Sequence, residues 1–489
     1  MLIKNTQNKR EHVQMLTIGS MVPEDHLLRD IERAIDLDFI YDLVEDKYSP
    51  NFGRPSIDPV VLIKIVLLQH LYGIRSMRQT IREIEVNVAY RWFLGLDFTD
   101  KVPHFTTFGK NYTRRFKGTD LFEQIFENIL AECVKCGFVD MSTLFVDGTH
   151  IKAHANNKKK VKAEVKKEAL FYEEELKKEI AEDRKSHGKK PLKEKQKDKD
   201  GDDKPSGGDT KVSTQSTTDP ESGMFHKGEH KQVFAYVSQT ACDRHGWITD
   251  YEVYAGNNHD SRTFGDFFTK KLKGRNATML VMDAGYKTPA IAKLLLDGGI
   301  TPVLPYTRPM TKRGFFKKIE YAYDEQYDCY ICPNNQELRY STTNRKGYRE
   351  YKSNSKVCAN CPYLEHCTHS ENHVKLVTRH VWQDYLDECE EIRHSYGYKE
   401  IYAQRKETIE RVFGEAKENH GLRFTQSIGK ARMRMKVGLT FACINLKKLA
   451  KMKRRHGLLG PTNGTNFSGF SHNLLKVYKK RQRTLCFAA

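Results

Sequence analysis

No stretch of this sequence is both apolar enough and long enough to cross a membrane. The longest apolar run, VVLIKIVLL at residues 60–68, falls far short of the ~20 residues that span a bilayer. The opening segment MLIKNTQNKREH has no apolar core of the kind that secretory signals carry. We therefore expect a soluble protein of the cytoplasm and exclude membrane-spanning and secreted classes.

Acidic residues are scarce relative to basic ones. The chain of 489 residues has 63 Asp and Glu against 82 Lys and Arg, which gives a net charge of +19. Such an excess favours a polyanionic partner, most often nucleic acid. The 11 cysteines are expected to be reduced or bound to metal, as is usual inside cells.

Residues 24–137 are predicted to be mostly helical. Asp58 is a suitable N-cap with Pro59 at the first helical position, and Gly73 ends that helix. Further helices are predicted to begin at Ser76 and near Thr106. The arginines near these helices are Arg75, Arg78, Arg82, Arg114 and Arg115. Two helices joined by GIRS are typical of a helix-turn-helix DNA reader, but a plain helical bundle with a solvated basic face explains the pattern about equally well.

Residues 158–223 differ in composition from their surroundings. Val161, Val165, Leu176 and Ile180 keep a helical period among dense Lys and Glu, which indicates an exposed charged helix. Residues 193–217 have almost no apolar side chain to bury and are predicted to be disordered. Strand-like sequence resumes afterwards, so this region is interpreted as an insertion.

Two apolar, strand-like segments, TLFVD and MLVMD, end in Asp147 and Asp283. Helical and strand-like segments follow one another around them, which predicts a mixed α/β sheet. In open α/β sheets, ligands bind just outside the carboxyl ends of the strands. A tight Asp-Gly turn explains Asp147 alone, whereas the pair favours a shared site for Mg²⁺, which prefers oxygen ligands.

A third acid is expected, because two carboxylates rarely hold a pair of metal ions. The helix predicted for YAQRKETIERVFGEAK supplies three candidates. Its apolar face is formed by Ile409, Val412, Phe413 and Ala416. Glu407 points away from that face, whereas Glu410 and Glu415 flank it. Glu410 is preferred because it shares its flank with Lys417, a suitable partner for a DNA phosphate.

These segments resemble the DDE transposases of bacterial insertion sequences, and the resemblance covers residues 24–455. LFVDGTHIKAHAN is similar to the first-Asp segment of that family, and LVMDAGY is similar to the second. YAQRKETIERVFGEAK resembles the family's Tyr-Arg-Glu-Lys signature, with one residue more between Arg and Glu than the commonest pattern. Here the signature is carried by Tyr402, Arg405, Glu410 and Lys417. NNHDS at residues 257–261 also resembles a recurring family segment.

The resemblance implies a ribonuclease-H-like catalytic fold preceded by an all-α domain. It implies that Asp147, Asp283 and Glu410 bind two Mg²⁺ ions, for which Mn²⁺ can substitute. DNA contacts are expected from Arg78, Arg82, Arg114, Arg115, Lys152, Tyr402, Arg405 and Lys417. The implied partners are double-stranded DNA, at the inverted-repeat ends and the target, and a second copy of the chain in a homodimeric DNA complex.

Five cysteines lie close together in the segments CYICP and CANCPYLEHC. Cys-x-x-Cys pairs inside cells favour structural Zn²⁺, and related transposases carry a similar stretch. The preferred ligands are Cys332, Cys358, Cys361 and Cys367, with Cys329 as an alternative or a bystander. The competing interpretation is a small subdomain with unligated thiols.

We thus expect a transposase that binds the inverted-repeat ends of its element, cuts there by metal-assisted hydrolysis and joins the 3′-hydroxyl to target DNA. Two alternatives are a nuclease on the same fold without strand transfer and a non-catalytic DNA-binding protein derived from a transposase. The protein is expected to associate with the bacterial nucleoid. The predicted domains are residues 1–137 (DNA-end binding), 138–306 with 386–455 (catalytic), 158–223 (insertion), 307–385 (Cys-rich, zinc-ribbon-like) and 456–489 (basic tail).

Overall fold

The structure of the protein, a computed structural model, describes residues 12–49, 56–166, 171–192, 210–227, 231–308 and 311–460. The chain divides into two compact units. Unit one comprises Met1–Glu132 and Ala442–Ala489, and unit two comprises Cys133–Phe441. Most of the predicted disordered segment, residues 193–209, and nearly all of the predicted basic tail, residues 461–489, lie outside the described residues.

The described residues form 17 α-helices and 13 strands. The helices are α1 (Ile18–Met21), α2 (Leu27–Ala34), α3 (Phe39–Val44), α4 (Pro59–Leu71), α5 (Met77–Val86), α6 (Val88–Leu94), α7 (Thr106–Asn111), α8 (Leu121–Lys135), α9 (Glu173–Ser186), α10 (Asp260–Phe267), α11 (Pro289–Asp297), α12 (Ser355–Cys358), α13 (Leu364–Cys367), α14 (Gln383–His394), α15 (Tyr398–Ala403), α16 (Ile409–Glu418) and α17 (Lys430–Arg455). The strands are β1 (Thr143–Lys152), β2 (Lys160–Lys166), β3 (Thr210–Ser216), β4 (Gly223–Lys227), β5 (Lys231–Asp243), β6 (Ile248–Ala255), β7 (Met279–Val281), β8 (Thr301–Val303), β9 (Ala322–Asp324), β10 (Cys329–Ile331), β11 (Glu337–Thr343), β12 (Tyr348–Lys352) and β13 (Leu376–His380).

Helix starts in unit one follow the predicted capping residues. Asp58 Oδ1 accepts a hydrogen bond from the Val60 amide at 2.7 Å, and Ser76 Oγ accepts one from the Gln79 amide at 3.2 Å. Gly73 has a φ of 61°, the left-handed conformation that ends a helix. The predicted starts of α4 and α5 are therefore confirmed.

Helix α4 is the apolar centre of unit one. Its buried residues lie on all sides of the helix, which is typical of a helix enclosed by others. Near the end of α17, Lys453 Nζ donates to the Ala34 carbonyl and to Glu132 Oε1, the latter at 2.6 Å. Among the helices of the described residues, none combines the length and the apolar composition that crossing a bilayer would require.

The main sheet of unit two is mixed, as the sequence predicts. Its strand order is β4–β5–β1–β7–β8, and β6 also pairs with β5. Strand β5 pairs antiparallel with β1, β4 and β6, whereas β1 pairs parallel with β7 and β7 with β8. One face of β1, through Leu144 and Val146, packs with Phe264 of α10 and Ile291 of α11 in a buried core. Helices α10 and α11 thus cover one face of the main sheet.

The charged insertion is partly a β-structure. Val161 and Val165 lie in β2, which pairs antiparallel with β3, so the helix predicted over them and the disorder predicted over residues 210–217 are wrong. The physical reason is the period-two alternation of KVKAEVK, in which Val, Ala and Val alternate with charged residues and the two valines favour a strand. Leu176 and Ile180 do lie in the predicted helix, α9, and pack in a small core with Trp382.

The Cys-rich region forms a second, antiparallel sheet. Its strand order is β13–β12–β11–β10–β9. Tyr330, Leu338, Tyr351 and Val377 form its buried core. The short helices α12 and α13 end at two of the predicted zinc ligands, Cys358 and Cys367.

The single helix predicted for residues 402–417 is broken. Helix α15 ends at Ala403, and Thr408, before α16, has φ −105° and ψ −99°, which are not helical. The predicted apolar face is buried from Ile409 onward and is confirmed there. The sequence placed Glu407 on the solvent-facing side of one continuous helix. Because Glu407 lies before α16, that helix position does not explain why its side chain is exposed.

Gly438 of α17 allows this helix to approach the main sheet closely. A Cβ at Gly438 would lie 2.1 Å from the Tyr251 hydroxyl oxygen, and Tyr251 is buried against Phe441. We expect Gly438→Ala to lower the free energy of unfolding by ~1–3 kcal/mol, because the added methyl forces a shift in a packed core. Urea denaturation of the full chain measures this change.

The matched control is Gly414→Ala in α16. A Cβ at Gly414 meets nothing within 4 Å, so the higher helix propensity of Ala should raise stability by up to ~1 kcal/mol. Equal shifts in the two variants would contradict the close approach at Gly438.

Candidate active site at the ends of the parallel strands

Asp147 of β1 and Asp283, just after β7, lie at the same level of the main sheet. The register pairs Phe145 with Val281, and the same offset brings Asp147 beside Asp283, two residues past the end of β7. Side chains alternate along strands, so two residues displaced by the same even step face the same side. The sheet therefore places the two predicted aspartates together.

The two aspartates occupy different local structures. Asp147 does not end its strand, because β5 pairs with β1 along its whole length and continues it to Lys152. The Asp-Gly turn considered at this position is therefore wrong. Asp283 does follow its strand, and its Oδ1 accepts a hydrogen bond from the Gly285 amide at 2.8 Å.

A buried arginine pairs with Asp147. Arg405 Nη2 lies 2.8 Å from Asp147 Oδ2, and the exposed fractions of the two side chains are 8% and 18%. The Gly148 amide donates to the other carboxylate oxygen at 2.8 Å. Arg405 Nη1 also lies 3.3 Å from the Tyr402 hydroxyl, to which it donates. The segment before α16 is thereby fastened to the central strand.

Burial and neighbouring charge make Asp147 hard to ionise. Its pKa is raised to about 6, chiefly by burial, and the charges of Asp283 and Asp260 add to the rise. Arg405 and the Gly148 amide oppose the rise. The negative charge of Asp147 and its neighbouring aspartates is therefore only partly compensated by the protein itself.

A third aspartate, which the sequence marked only within NNHDS, belongs to this region. Asp260 begins α10, and its Oδ1 accepts a hydrogen bond from Gln239 Nε2 at 2.7 Å. The Gln239 side-chain oxygen accepts from the Tyr286 hydroxyl. Burial raises the pKa of Asp260, the charge of Asp283 raises it further, and His259 and Gln239 oppose the rise. Strand spacing could not reveal Asp260, because it follows a loop rather than a strand.

Glu410, the predicted third acid, is exposed on the first turn of α16. Within the described part of the chain it has no hydrogen bond or ion pair with the aspartates. Glu407 is exposed as well, and Glu415 is partly buried with an oxygen 3.8 Å from His420 Nε2. The structure thus brings Arg405 of this segment to Asp147, but it does not bring Glu410 there.

The arginines predicted to bind DNA in unit one are mostly at the surface. Arg78, Arg82 and Arg114 have exposed side chains, and Arg115 is partly buried. The Arg78 guanidinium lies over the Phe105 ring, 4.5 Å from its centroid. These side chains are available to a polyanion, and their contact with DNA stays a prediction.

The basic and aromatic residues predicted to bind DNA in unit two differ in exposure. Lys152 is exposed, Tyr402 and Lys417 are partly buried, and Arg405 is buried in its pair with Asp147. The rings of Tyr402 and Tyr398 stack with centroids 6.1 Å apart. A role for Arg405 in DNA binding stays a prediction, and its direct partner here is a carboxylate.

The four preferred cysteines, Cys332, Cys358, Cys361 and Cys367, line one small cavity at the end of the second sheet. Burial raises the pKa of the Cys367 thiol, and the neighbouring Cys358 and Cys332 also raise it, while Tyr321 and Lys375 lower it. The backbone amide of Gln336 donates to Cys332 Sγ at 3.3 Å. Cys329 is buried in β10 and does not line this cavity.

Neither candidate metal site is fully formed. In the ranges that the structure describes, no group of three or more His, Cys, Asp or Glu side chains is arranged to hold a metal ion. Two buried polar atoms of this part of unit two, Arg405 Nε and the Thr149 hydroxyl, have no hydrogen-bond partner among the described residues. Thr149 lies on the Asp147 face of β1.

Two family models match the chain. Residues 16–114 match a transposase domain (DUF772), and residues 331–450 match a transposase DDE domain. No curated protein matches the chain. The two matches confirm the resemblance to a DDE transposase of an insertion sequence.

The second match covers part of the candidate site. Tyr402, Arg405 and Glu410 lie inside it, as does the Cys-rich sheet from Ile331 onward. Asp147 and Asp283 lie outside both matched segments. The ion pair between Arg405 and Asp147 joins the matched segment to the strand that carries the first aspartate.

The pKa of Asp147 predicts a pH-dependent stability. A raised pKa in the folded protein means that protonated Asp147 contributes stability below about pH 4, which is lost as the pH rises through about 6. Asp147→Asn mimics the protonated form and should raise the free energy of unfolding by roughly 2–3 kcal/mol at pH 7.5. Below about pH 3, where Asp147 is protonated in the folded and the unfolded state, the variant and the wild type should be equally stable in urea denaturation.

Asp140→Asn is the control, for which the expected change in the free energy of unfolding has the opposite sign. Burial opposes ionisation of Asp140, but hydrogen bonds from Ser142 and the charge of Arg244 outweigh it and lower the pKa. Its stabilisation is present at neutral pH and lost in acid, so Asp140→Asn should destabilise the protein at pH 7.5. If Asp147→Asn is less stable than the wild type at pH 7.5, then the ionised Asp147 carboxylate does not destabilise the folded protein, and this prediction is wrong.

Proposed function

We propose that the protein is a transposase that binds the inverted-repeat ends of an insertion sequence, cuts the DNA there and joins the freed 3′-hydroxyl to target DNA. The observation that carries this proposal is the pairing of Asp147 with Arg405 beside Asp283. It unites two aspartates on parallel strands with a segment that matches a transposase DDE domain. A ribonuclease-H-like fold is supported by the antiparallel β5–β1 pair followed by parallel β7 and β8.

Asp147, Asp283 and Glu410 are the residues that would hold divalent cations, Mg²⁺ or Mn²⁺. When bound, two such ions would activate the attacking oxygen and stabilise the leaving oxygen of a phosphodiester. Asp147 and Asp260 have raised pKa values, chiefly because they are buried, and a bound cation would compensate their charge. Glu410 is exposed, so it is free to turn toward the aspartates when DNA and cations are present.

Arg405 would keep Asp147 ionised and oriented. The guanidinium lies against one carboxylate oxygen, and the Gly148 amide holds the other. Tyr402 in turn orients Arg405. With Lys152 and Lys417, these residues would face the DNA backbone near the cut, where positive charge stabilises phosphate.

Unit one would recognise the DNA ends. Arg78, Arg82 and Arg114 are exposed on or beside its helices, and the chain has a net charge of +19. Basic side chains on helices supply both phosphate contacts and groove readout. The DNA complex would be a homodimer, with one chain for each end of the element.

The proposal predicts that the acids are needed for cutting but not for binding DNA. Asp147→Ala, Asp283→Ala and Glu410→Ala should each reduce Mg²⁺-dependent nicking and strand transfer by ~100-fold or more. Binding of end DNA in a gel shift should persist or tighten, because a negative charge near the phosphates is removed. The substrate is a labelled duplex that carries the element's end.

Two glutamates of the same segment are controls. Glu407→Ala should be nearly silent, and Glu415→Ala should reduce cutting less than Glu410→Ala does. Activity in Glu410→Ala but not in Glu415→Ala would show that the other flank of α16 faces the cations. If all three alanine variants still cut, the proposed mechanism is wrong; cutting without joining in the wild type would favour the nuclease.

We also propose that the four cavity-lining thiols bind structural Zn²⁺. The neighbouring Cys358 and Cys332 thiols add to the rise in the pKa of Cys367 that burial causes. Cys361 Sγ accepts a hydrogen bond from Asn334 Nδ2 at 3.5 Å. Four thiolates are a common zinc donor set, and donors to sulfur are typical of the surroundings of such sites.

Metal analysis of the purified protein should find about one zinc per chain. Cys358→Ser and Cys361→Ser should lose the zinc and lower the melting temperature, because zinc binding contributes to folding. Cys136→Ser, outside the cavity, is the control and should keep the zinc and the melting temperature of the wild type. A wild type that is free of zinc and equally stable with a chelator would refute this proposal.

A further inference from the structure

A second cavity lies beside β13, the outermost strand of the Cys-rich sheet. Its volume is about 320 Å³, which is within the range of small-ligand pockets. One wall is formed by residues 375–378 at the start of β13, and the other by residues 311–321. None of the described residues that line it is an aspartate or a cysteine. This β13 cavity is therefore a candidate site distinct from those discussed above.

The β13 cavity carries positive charge without a carboxylate beside it. Its described lining residues include Lys312, Lys318 and Lys375 but no Asp or Glu. Lys375 Nζ donates to the Cys367 carbonyl at 2.7 Å and lies 5.1 Å from the centroid of the Tyr321 ring. Lys312 and Lys318 make no ion pair within the described ranges. An anion is therefore the complementary ligand.

The charge of Lys318 is poorly accommodated by the protein itself. Its pKa is lowered, chiefly because surrounding protein atoms displace water and further by the charge of Arg379, while Asp387 opposes the change. A bound anion would favour the charged form of Lys318.

Aromatic rings form much of the apolar lining of the β13 cavity. Phe315 and Phe316 are partly buried, whereas Tyr321 is buried. The Phe315 ring meets the His369 ring edge to face at 4.6 Å, and the Phe316 ring meets the Tyr363 ring in the same way at 5.9 Å. Rings held in this manner offer a surface on which a planar base can stack, because every nucleobase has a π-face.

The segment that carries these rings is fastened to α13. The Phe316 amide donates to the His366 carbonyl at 2.9 Å, and His366 Nδ1 donates to the Gly314 carbonyl at 2.9 Å. The Tyr321 hydroxyl lies 3.2 Å from Cys367 Sγ. The cavity is thus formed before any ligand binds, which lowers the entropy cost of binding.

We propose that the β13 cavity binds an unpaired nucleotide of a DNA strand, with Phe315 and Phe316 against the base and Lys312 and Lys318 against the adjoining phosphates. Lysines interleaved with aromatic rings are typical of proteins that bind single strands, whereas a duplex hides the faces of its bases. The inference rests on the proposed function in the choice of DNA as the polyanion.

The test is fluorescence anisotropy of a labelled thymidine oligonucleotide of about ten residues with the full-length protein, over a series of salt concentrations. Lys318→Gln should weaken binding ~5-fold or more and reduce the slope of log Kd against log salt by ~0.7, because one phosphate contact is lost. Phe315→Leu should also weaken binding ~5-fold or more but keep the slope, because it removes a ring and no charge.

The matched control is Lys317→Gln, which removes the same charge one residue away. Lys317 is exposed and does not line the cavity, so this variant should bind like the wild type. Melting temperatures check that each variant is folded. Photocrosslinking of the same oligonucleotide carrying 5-iododeoxyuridine, followed by mass spectrometry, should place the contact within residues 311–321.

Equal binding by Lys318→Gln and Lys317→Gln, or crosslinks only outside residues 311–321, would overturn the inference. Displacement of the oligonucleotide by an oligoglutamate peptide or by thymidine monophosphate, as effective as that by unlabelled DNA, would overturn it in favour of those ligands.

Mg²⁺-dependent cutting of end DNA is measured on the same preparations. A wild type that cuts, with equal binding by the two lysine variants, overturns this inference alone. Binding that depends on Lys318 in a protein that does not cut supports this inference and overturns the proposed function.

Discussion

Incompletely compensated negative charge at Asp147 in β1 and at Asp283 just after β7 is the constraint on which the candidate site of unit two depends. The parallel register places Asp147 beside Asp283, and Asp260 adds a third carboxylate from α10. Arg405 is the cation that the protein supplies, and it lies against one of these carboxylates. The raised pKa of Asp147 records that this compensation is incomplete. A bound cation would compensate the remaining negative charge, so under the proposed function cation binding would also stabilise the site.

The same constraint explains several neighbouring residues that are not acidic. Gly148 leaves room for the Asp260 carboxylate, and Gln239 uses its amide to hold that carboxylate in place. The Tyr286 hydroxyl, in the turn after Asp283, donates a hydrogen bond to the side-chain oxygen of Gln239. A fully buried glutamine and tyrosine in a core are stable when every polar atom has a partner, and here each partner belongs to an element of the site.

Local signals in the sequence predicted the starts of α4 and α5, the apolar face of α16 and the two aspartates in their strand-like segments. Capping side chains act within one turn, and strand alternation acts within a few residues, so these features need no distant partner. The predictions were wrong where the structure depends on pairing between segments that are far apart in the sequence. Val161 and Val165 lie in a strand because β3 supplies their partner, and β1 continues past Asp147 because β5 pairs beyond it.

The sequence by itself determined the kinds of side chain available: strand-borne aspartates, a basic chain and clustered thiols. Only the tertiary structure decided which of them meet. It paired Arg405 with Asp147, placed Asp260 between two glycines and left Glu410 at the surface. Pairings of this kind depend on sheet register and helix packing between residues far apart in the chain. No local pattern encodes those distances, whereas the side chains that make them possible are written in the sequence.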